Sequence, residues 1–364
     1  MYNYNFARAE DFDPAALGPS CCMNFDSVLH SFTENPDERI NGALGGYIFD
    51  VPQFPGDLVK GGLHYDKYAK SETSVIPQRQ PALLEQFARR IKDIVKPGAS
   101  FFDLGPGPEY SIRKNTIPAL KVLAPSLYIP VDIESEFTED AYNVISQEFP
   151  DMNVRRLAMN FHKEILPEPE TETSIIWYSG STFGNLSSLP GQTFLENKFA
   201  ANHLGLLKGA QQDLENGKRH TRYLVLLMDG KKEATQDMLD IYAHPDAANC
   251  FKSVVFKLKR DLLAHDFDPE AFIYEPCWNG RNSTIEHVFT ATKTQSFRIT
   301  NCFTSEQATV RAVEGENYVL ANSMKPSNKE MQQLLINSGW DHLLSERDPD
   351  KQFHIHLARG YSQG

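Results

Sequence analysis

Cysteine is sparse in this chain, and the five present are Cys21, Cys22, Cys250, Cys277 and Cys302. None stands in a C-x-x-C pair, and Cys21-Cys22 have no histidine or cysteine partner at ligand spacing. That argues against a disulfide framework and a zinc knuckle, and predicts reduced thiols in a cytoplasmic protein with no metal. Long apolar runs are missing too. The most apolar stretch, Tyr223-Leu-Val-Leu-Leu-Met228, is far too short to span a bilayer. The first residues, Met1-Tyr-Asn-Tyr-Asn-Phe-Ala-Arg-Ala-Glu10, show no basic region followed by an apolar one, so no signal peptide is predicted. Basic charge is short as well: 36 Lys and Arg stand against 48 Asp and Glu, for a formal net charge of -12. Nucleic acid and anionic membranes attract a basic footprint, so neither is predicted as a partner. The acidic excess reads as a solubility feature.

What is present is a ladder of strands and helices with two informative junctions. In Ser174-Ile-Ile-Trp-Tyr-Ser-Gly-Ser-Thr-Phe-Gly-Asn-Leu186, an apolar stretch rich in β-branched and aromatic residues breaks into a turn of small ones. It reads as a buried parallel strand whose terminal loop lets a ligand approach the backbone. Phe101-Phe-Asp-Leu-Gly105-Pro-Gly107 is a second junction of this kind. Ligands of open α/β sheets sit at the carboxyl ends of strands, so the pair predicts a nucleotide-type cofactor.

The chain has 364 residues, 41% hydrophobic and 23% charged, as in a globular protein long enough for two domains. Its first 70 residues are rich in Asn, Asp, Gly and Pro and read as an irregular extension. A helix is predicted over 81–95, with Leu83, Leu84, Phe87, Ile91 and Ile94 on one face and Pro97-Gly98 ending it. Strands are predicted at 100–104, 126–133, 154–157, 174–178 and 223–228. They alternate with helices at 115–123, 139–149 and 194–216, the last closed by Gly217, which implies a parallel sheet with helices on both faces. After Asp229 the pattern changes to helices at 237–250 and 251–264 and antiparallel strands at 272–278, 284–292, 295–303 and 307–313. A helix at 329–338 and a strand at 353–358 follow. The predicted fold class is α/β. A parallel-sheet domain over 75–232 is interrupted by an inserted α+β domain over 233–324 and completed by 325–364. The extension, 1–74, is grouped with the insertion.

Candidate site residues lie at the strand ends. A dinucleotide fingerprint wants G-x-G-x-x-G, and here Tyr110 stands where the third glycine belongs. That counts against a nicotinamide oxidoreductase. A loop with two glycines, Gly105 and Gly107, after an acidic strand end suits S-adenosylmethionine (SAM), whose tail carries an amino acid and no phosphate. Asp132, at the tip of the next strand, can accept both ribose hydroxyls. Asn160 and Phe161 supply an amide and a ring for an adenine pocket. Gly180 and Asn185 come from the loop of the fourth strand, and Asn185 offers both a donor and an acceptor. Each has a plainer alternative: a tight turn, a solvated acid, a core ring or a capping amide.

With these residues in view, the chain resembles the SAM-dependent amino-acid α-N-methyltransferases of the ergothioneine-pathway type, the histidine-specific family. Gly180-Ser-Thr-Phe-Gly-Asn-Leu186 carries the resemblance most strongly. Leu104-Gly105-Pro-Gly107, Ile129-Pro-Val-Asp132, Asn160-Phe161, Asp266-Phe-Asp-Pro-Glu-Ala-Phe272, Trp278-Asn279 and Ile285-Glu-His287 agree with it, from about Tyr65 to the C-terminus. The resemblance implies a Rossmann-like class I methyltransferase domain and a second α+β domain that closes over a small amino-acid substrate. It implies that Gly105, Asp132, Asn160, Phe161 and Gly180 hold SAM, with Tyr65 lying over it, and that Asn185 and Tyr242 hold the substrate's carboxylate and amine. The family's late E-x-S-x-K strand, whose Glu binds imidazole, reads Ala321-Asn-Ser323-Met-Lys325 here. The methionine lining that pocket corresponds to His287, and an early tyrosine before a proline corresponds to Val75. The side-chain pocket, with Ala321, Ser323 and His287, is thus rewritten, and histidine itself is not the expected substrate. His287 is expected either to meet the substrate, with Tyr242 or His287 as proton acceptor, or to be a core histidine. The expected function is N-methylation of a free amino acid or close derivative. The alternatives are a SAM-fold binding protein without turnover and, more remotely, a nicotinamide oxidoreductase.

Overall fold

A computed structural model describes residues 23–47, 67, 70, 75–133, 135–167, 171–209, 220–230, 236–350 and 352–361. Tyr65, Gly217, Cys21-Cys22 and the side chain of Val75 lie outside the described residues. In chain order the helices are α1 (Phe25–Ser31), α2 (Val75–Ile91), α3 (Ile117–Leu123), α4 (Ser135–Glu148), α5 (Lys198–Lys208), α6 (Gln236–Ala243), α7 (Pro245–Asp261) and α8 (Asn328–Asn337). The strands up to the insertion are β1 (Ser100–Leu104), β2 (Leu127–Asp132), β3 (Asn153–Val154), β4 (Leu157–Ala158), β5 (Thr173–Tyr178) and β6 (Thr221–Asp229). They are followed by β7 (Phe272–Asn279), β8 (Thr284–Ala291), β9 (Gln295–Thr300), β10 (Gln307–Ala312), β11 (Asn317–Met324), β12 (Asp341–Arg347) and β13 (Phe353–Tyr361).

The chain divides into two compact units. The first comprises Met1–Tyr68, Asn185–Thr193 and Glu233–Met324; the second comprises Ala69–Gly184, Phe194–Lys232 and Lys325–Gly364. The segment Asn185–Thr193 departs from the sequence reading, which placed all of 75–232 in the sheet domain. Hydrogen bonds draw it to the first unit. Asn41 and Ser188 form a β-bridge, and the Asn322 amide on β11 donates to the Leu186 carbonyl and to Ser188 Oγ.

The second unit is a Rossmann-like sheet in the order β12-β13-β6-β5-β1-β2-β3, with β4 also paired to β2. From β6 to β2 every pairing is parallel. β13 runs antiparallel to β6, and β12 antiparallel to β13, so the purely parallel sheet expected from the alternation becomes mixed at one side. Residues of β1, β2, β5 and β6 are buried on both faces, as near-continuous apolar strands require. One face packs Phe101, Tyr128, Trp177, Val225 and Ile355 against Leu84, Phe87, Leu120 and Ile145 of the covering helices. The strand order reverses between β1 and β5, the switch point where such sheets bind ligands.

Several boundaries moved for local reasons. The helix α2 begins before Pro81 and carries that proline inside, forgoing one backbone hydrogen bond. The expected strand at 154–157 is two short ones, β3 and β4. α5 is N-capped by Asn197 and its last described turn ends at Lys208 with Gly209 as C-cap; residues 210–216 of the expected helix lie outside the described residues. At that last turn the Arg222 guanidinium takes the Leu207 and Lys208 carbonyls. α6 and α7 part at His244-Pro245, not at Cys250, because a proline without an N–H suits the first helical position.

The first unit holds a three-stranded antiparallel sheet, β11-β8-β7, and the hairpin β9-β10. α7 contributes Val254 and Leu258 to a core shared with Phe32, Ile285, Phe289, Tyr318 and Leu320. Residues 42–44 dock on β11: Gly42 and Leu44 donate to the Val319 and Leu320 carbonyls. Among the described residues, no helix is long and apolar enough to cross a membrane.

Candidate active site

The cofactor candidates gather in the second unit, at the carboxyl ends of β1, β2, β4 and β5. Gly105 and Gly107 both have positive φ, 64° and 68°, which only glycine adopts readily. A Cβ on Gly105 would come within 3.4 Å of Thr182 Oγ1 and 3.9 Å of Phe161 Cζ, and one on Gly180 within 3.9 Å of the Gly105 carbonyl. Gly105, Gly180 and Phe161 are therefore neighbours across the β1/β5 switch point. Asp132 ends β2 half-buried, and its carbonyl accepts from Met159 N–H. Asn160 follows directly. Its Oδ1 is turned into a local loop, accepting from His162 N–H at 3.1 Å. Phe161 is buried edge-on to Tyr178, with ring centroids 5.8 Å apart. Tyr178 Oη is buried without a hydrogen-bond partner among the described residues. Burial first, then the nearby Asp132 carboxylate, hold that phenol well above its usual titration range.

This set fits the cofactor expected from the sequence. Two loops that bear glycine, at Gly105 and Gly180, come together at the strand ends, where the backbone is open to a tail, and an acid lies at the neighbouring tip for a diol. Behind them sits Asp103, fully buried on β1. Thr116 Oγ1 and Tyr128 Oη each donate to its Oδ2 at 2.8 Å. Burial outweighs these bonds and pushes its carboxyl up to about 6.

The substrate candidates gather in the first unit. Side chains alternate across a strand, so Tyr274 and Trp278 on β7, His287 on β8, and Ala321 and Ser323 on β11 share one face of the sheet. His287 pairs directly with Ala321 across the strands. Its Nδ1 lies 2.9 Å from Tyr274 Oη and its Nε2 2.9 Å from Ser323 Oγ. The ring is fully buried and stacks on Phe251, with centroids 3.4 Å apart and planes 12° apart. Tyr242, on α6, sets its ring 5.4 Å from that of His287. Asn185 is buried, and its carbonyl lies 2.6 Å from where a Cβ on Gly45 would be; the same Cβ would be 3.7 Å from Ala321 Cα.

His287 therefore sits among core rings with both nitrogens engaged inside the protein. To act as a proton acceptor it would first have to release Ser323 or Tyr274. Lys325, the last residue of the Ala321–Lys325 stretch, pairs with Asp229 at 2.8 Å in the second unit, where both are buried. Sequence reasoning did not single out Thr182, Tyr178 or Tyr274. Thr182 lies inside the glycine motif. Tyr274 shares the period-two face with Trp278, and that alternation was its signal.

The sequence model of the family described as "Histidine-specific methyltransferase, SAM-dependent" matches residues 60–360. Histidine N-alpha-methyltransferase of Mycolicibacterium smegmatis is 24% identical over 178 residues, which cover 47% of this chain and 49% of that protein. The match thus spans about half the length of this curated relative. Among solved structures, the CcbJ methyltransferase of Streptomyces caelestis aligns with a TM-score of 0.38 at 10% identity, covering 81% of this chain and 95% of its own. Magnesium protoporphyrin IX methyltransferase of Synechocystis PCC 6803 aligns with a TM-score of 0.41 at 10% identity, covering 83% and 94%.

Proposed function

The chain belongs to the histidine-specific, SAM-dependent methyltransferase family, and from that premise we propose that it methylates the amine of a free amino acid or close derivative other than histidine. The observation that carries the second half is Ala321. The residue expected to hold an imidazole is an acid; here it is a buried methyl group whose cross-strand partner is His287. A buried acid facing a polar ring discriminates more strongly than a methyl-sized contact.

SAM, when bound, supplies a methyl group on a sulfonium. The residues proposed to hold it are Gly105, Gly107, Asp132, Asn160, Phe161 and Gly180, with Tyr65 as a further candidate. Their task is to fix the direction of the methyl and to exclude water. Asn185 and Tyr242 are proposed to hold the substrate's carboxylate and amine, so that the nitrogen lone pair is presented in line. The amine must reach the transition state neutral, and its proton passes to solvent, either directly or through the Tyr242 hydroxyl, which takes it while handing its own proton on to water. Ala321 and Ser323 are proposed to line the side-chain pocket, with His287 acting on it through Ser323.

Calorimetry with S-adenosylhomocysteine, followed by a mass-spectrometric methyl-transfer screen over amino acids, tests this reading. Binding of the nucleotide with N-methylation of at least one amino acid other than histidine is the expected result. Failure to bind at millimolar levels would refute the cofactor assignment, and histidine as the best substrate would refute the specificity.

A further inference from the structure

We propose that Asn322, on β11, is a positioning residue for methyl transfer: its buried amide fixes the loop that carries Asn185, without itself touching the substrate. This rests on the reading of Asn185 as a substrate anchor and names the residue through which that anchor is held.

Asn322 is fully buried, and its partner across the strands is Glu286. Side chains alternate along a strand, so Asn322 lies on the face of β11 opposite Ala321 and Ser323 and does not line the side-chain pocket. Its Nδ2 donates instead to three oxygens from two other segments. They are the Leu186 carbonyl at 3.1 Å, Ser188 Oγ at 3.2 Å and the Asn41 carbonyl at 3.2 Å, which share its two protons. Two of the three are carbonyls, which can only accept, so the amide nitrogen must face them. Oδ1 is left buried with no partner among the described residues. An unmatched buried acceptor costs about 1–3 kcal/mol. An apolar side chain would avoid that cost but would strand the Leu186 and Asn41 carbonyls.

The segments it gathers are the ones that enclose Asn185, all within the first unit. Asn41 and Ser188 exchange both backbone hydrogen bonds at 2.9 Å, and Gly42 and Leu44 donate to the Val319 and Leu320 carbonyls at 2.8 and 3.1 Å. Gly42 passes so close that a Cβ on it would lie 2.4 Å from Asn322 Nδ2. Further along the same turn, a Cβ on Gly45 would meet the Asn185 carbonyl at 2.6 Å. The loop is therefore tied at Leu186 and Ser188 by one amide and closed at Asn185 by the Gly45 backbone. Asn185 can shift only if one of these gives way. A shift of about 1 Å in a group that aligns reactants can cost about a hundredfold in rate.

The test is a double-mutant cycle on the full chain, with SAM and whichever of the twenty common amino acids mass spectrometry shows to be methylated fastest. Asn322→Ala is expected to lower kcat/KM about tenfold or more. Its S-adenosylhomocysteine affinity in calorimetry is expected to stay within about threefold of the parent protein, with unchanged stoichiometry. In an Asn185→Ala background the same change is expected to cost less than about threefold, because the group it positions is gone. A loss of folded protein would lower turnover equally in both backgrounds, so the cycle separates positioning from stability. Gly45→Ala pushes on Asn185 from the other side. It is expected to show the same pattern, and it carries the test if Asn322→Ala does not fold. Equal losses in the two backgrounds, no loss from Asn322→Ala, or a parallel loss of nucleotide binding overturns the proposal. If Asn185→Ala leaves turnover unchanged, or no amino acid is methylated, the reading of Asn185 fails and this one with it.

Discussion

The two units differ in how the candidate side chains at their centres are satisfied, although Asn322 Oδ1, between Ala321 and Ser323 in the first, is also buried without a hydrogen-bond partner among the described residues. In the second unit, Tyr178 Oη, His162 Nε2 and Asp103 Oδ1 are buried with no hydrogen-bond partner among the described residues. In the first, the Ser323, His287, Tyr274 and Tyr242 groups form one closed sequence of donors and acceptors. A parallel sheet exposes backbone at its strand ends, and some nearby side-chain atoms stay uncommitted, although Asp103 Oδ2 is held by Thr116 and Tyr128. An antiparallel face makes its site from side chains, and they settle among themselves before a ligand arrives. The first arrangement suits a cofactor common to a whole family; the second suits a substrate particular to one member.

Acid should separate the units most strongly. In the second unit burial lowers His162 and His354 to about 4, and holds His203 and His356 well below the usual histidine range. His354 Nε2 donates to the Pro326 carbonyl at 2.9 Å, so its Nδ1 must accept from His356 Nε2 at 2.7 Å. His356 Nδ1 in turn accepts from His342 Nε2 at 3.1 Å. Protonating His354 or His356 would set two N–H groups head to head. A histidine whose folded pKa is depressed contributes stability above its unfolded value of about 6.5 that is lost as pH falls towards the folded one. For a shift to about 4 that is on the order of 3 kcal/mol per residue. Asp103 works the other way: its raised pKa favours folding below about pH 4, and that contribution is lost as pH rises through about 6. Several histidines outweigh one aspartate. Between pH 7.5 and 5, amide hydrogen exchange should lose protection in β13 and β6 while β7, β8 and β11 keep theirs. Asp103→Asn, which removes the opposing contribution, should steepen this loss. Equal loss in both units would break the comparison.

Ligand binding should separate them next. Gly105→Val puts a side chain into the left-handed region, at about 1–2 kcal/mol, and into the space facing Thr182. S-adenosylhomocysteine affinity should fall about a hundredfold in calorimetry, well beyond that backbone strain. Asn185→Ala, in the other unit, should leave that affinity within about threefold and lower turnover roughly tenfold to hundredfold, as loss of a hydrogen bond to a charged group does. Loss of both properties in both variants would mean that cofactor and substrate roles are not divided between the units.

How much of this could be read in the residues follows the same division. The switch-point sheet was legible because its buried strands are continuous apolar runs ending in glycine, as at Phe101–Gly105 and Ser174–Gly180. The extra antiparallel edge was half seen: β13 alternates, whereas Asp341-His-Leu-Leu-Ser-Glu-Arg347 in β12 is half-exposed throughout and follows no period. β11 gave no alternation either, since Leu320 to Met324 are all buried. Side-chain commitments were least visible. No pattern in the chain says that His287, a strand residue like its neighbours, has Phe251 against its face and Ser323 and Tyr274 at its nitrogens, because those partners come from distant segments.

The smallest effect is the sharpest test of the substrate side. Ala321→Glu restores the acid expected of a histidine pocket, and from sequence alone it should improve the use of histidine. The cross-strand pairing changes that expectation. The new carboxylate would arise directly opposite His287, and a buried acid beside an imidazole pairs with it before it can serve a ligand. Histidine kcat/KM should therefore change by less than about threefold in the single variant. Adding His287→Met removes the competing ring, leaves Ser323 free to rotate, and should raise histidine use about tenfold over the single variant. Steady-state kinetics with histidine across the four combinations reads this coupling directly. A full gain from Ala321→Glu alone would show that His287 does not govern the pocket, and the distinction between a generic cofactor end and a self-satisfied substrate face would fail at its substrate half.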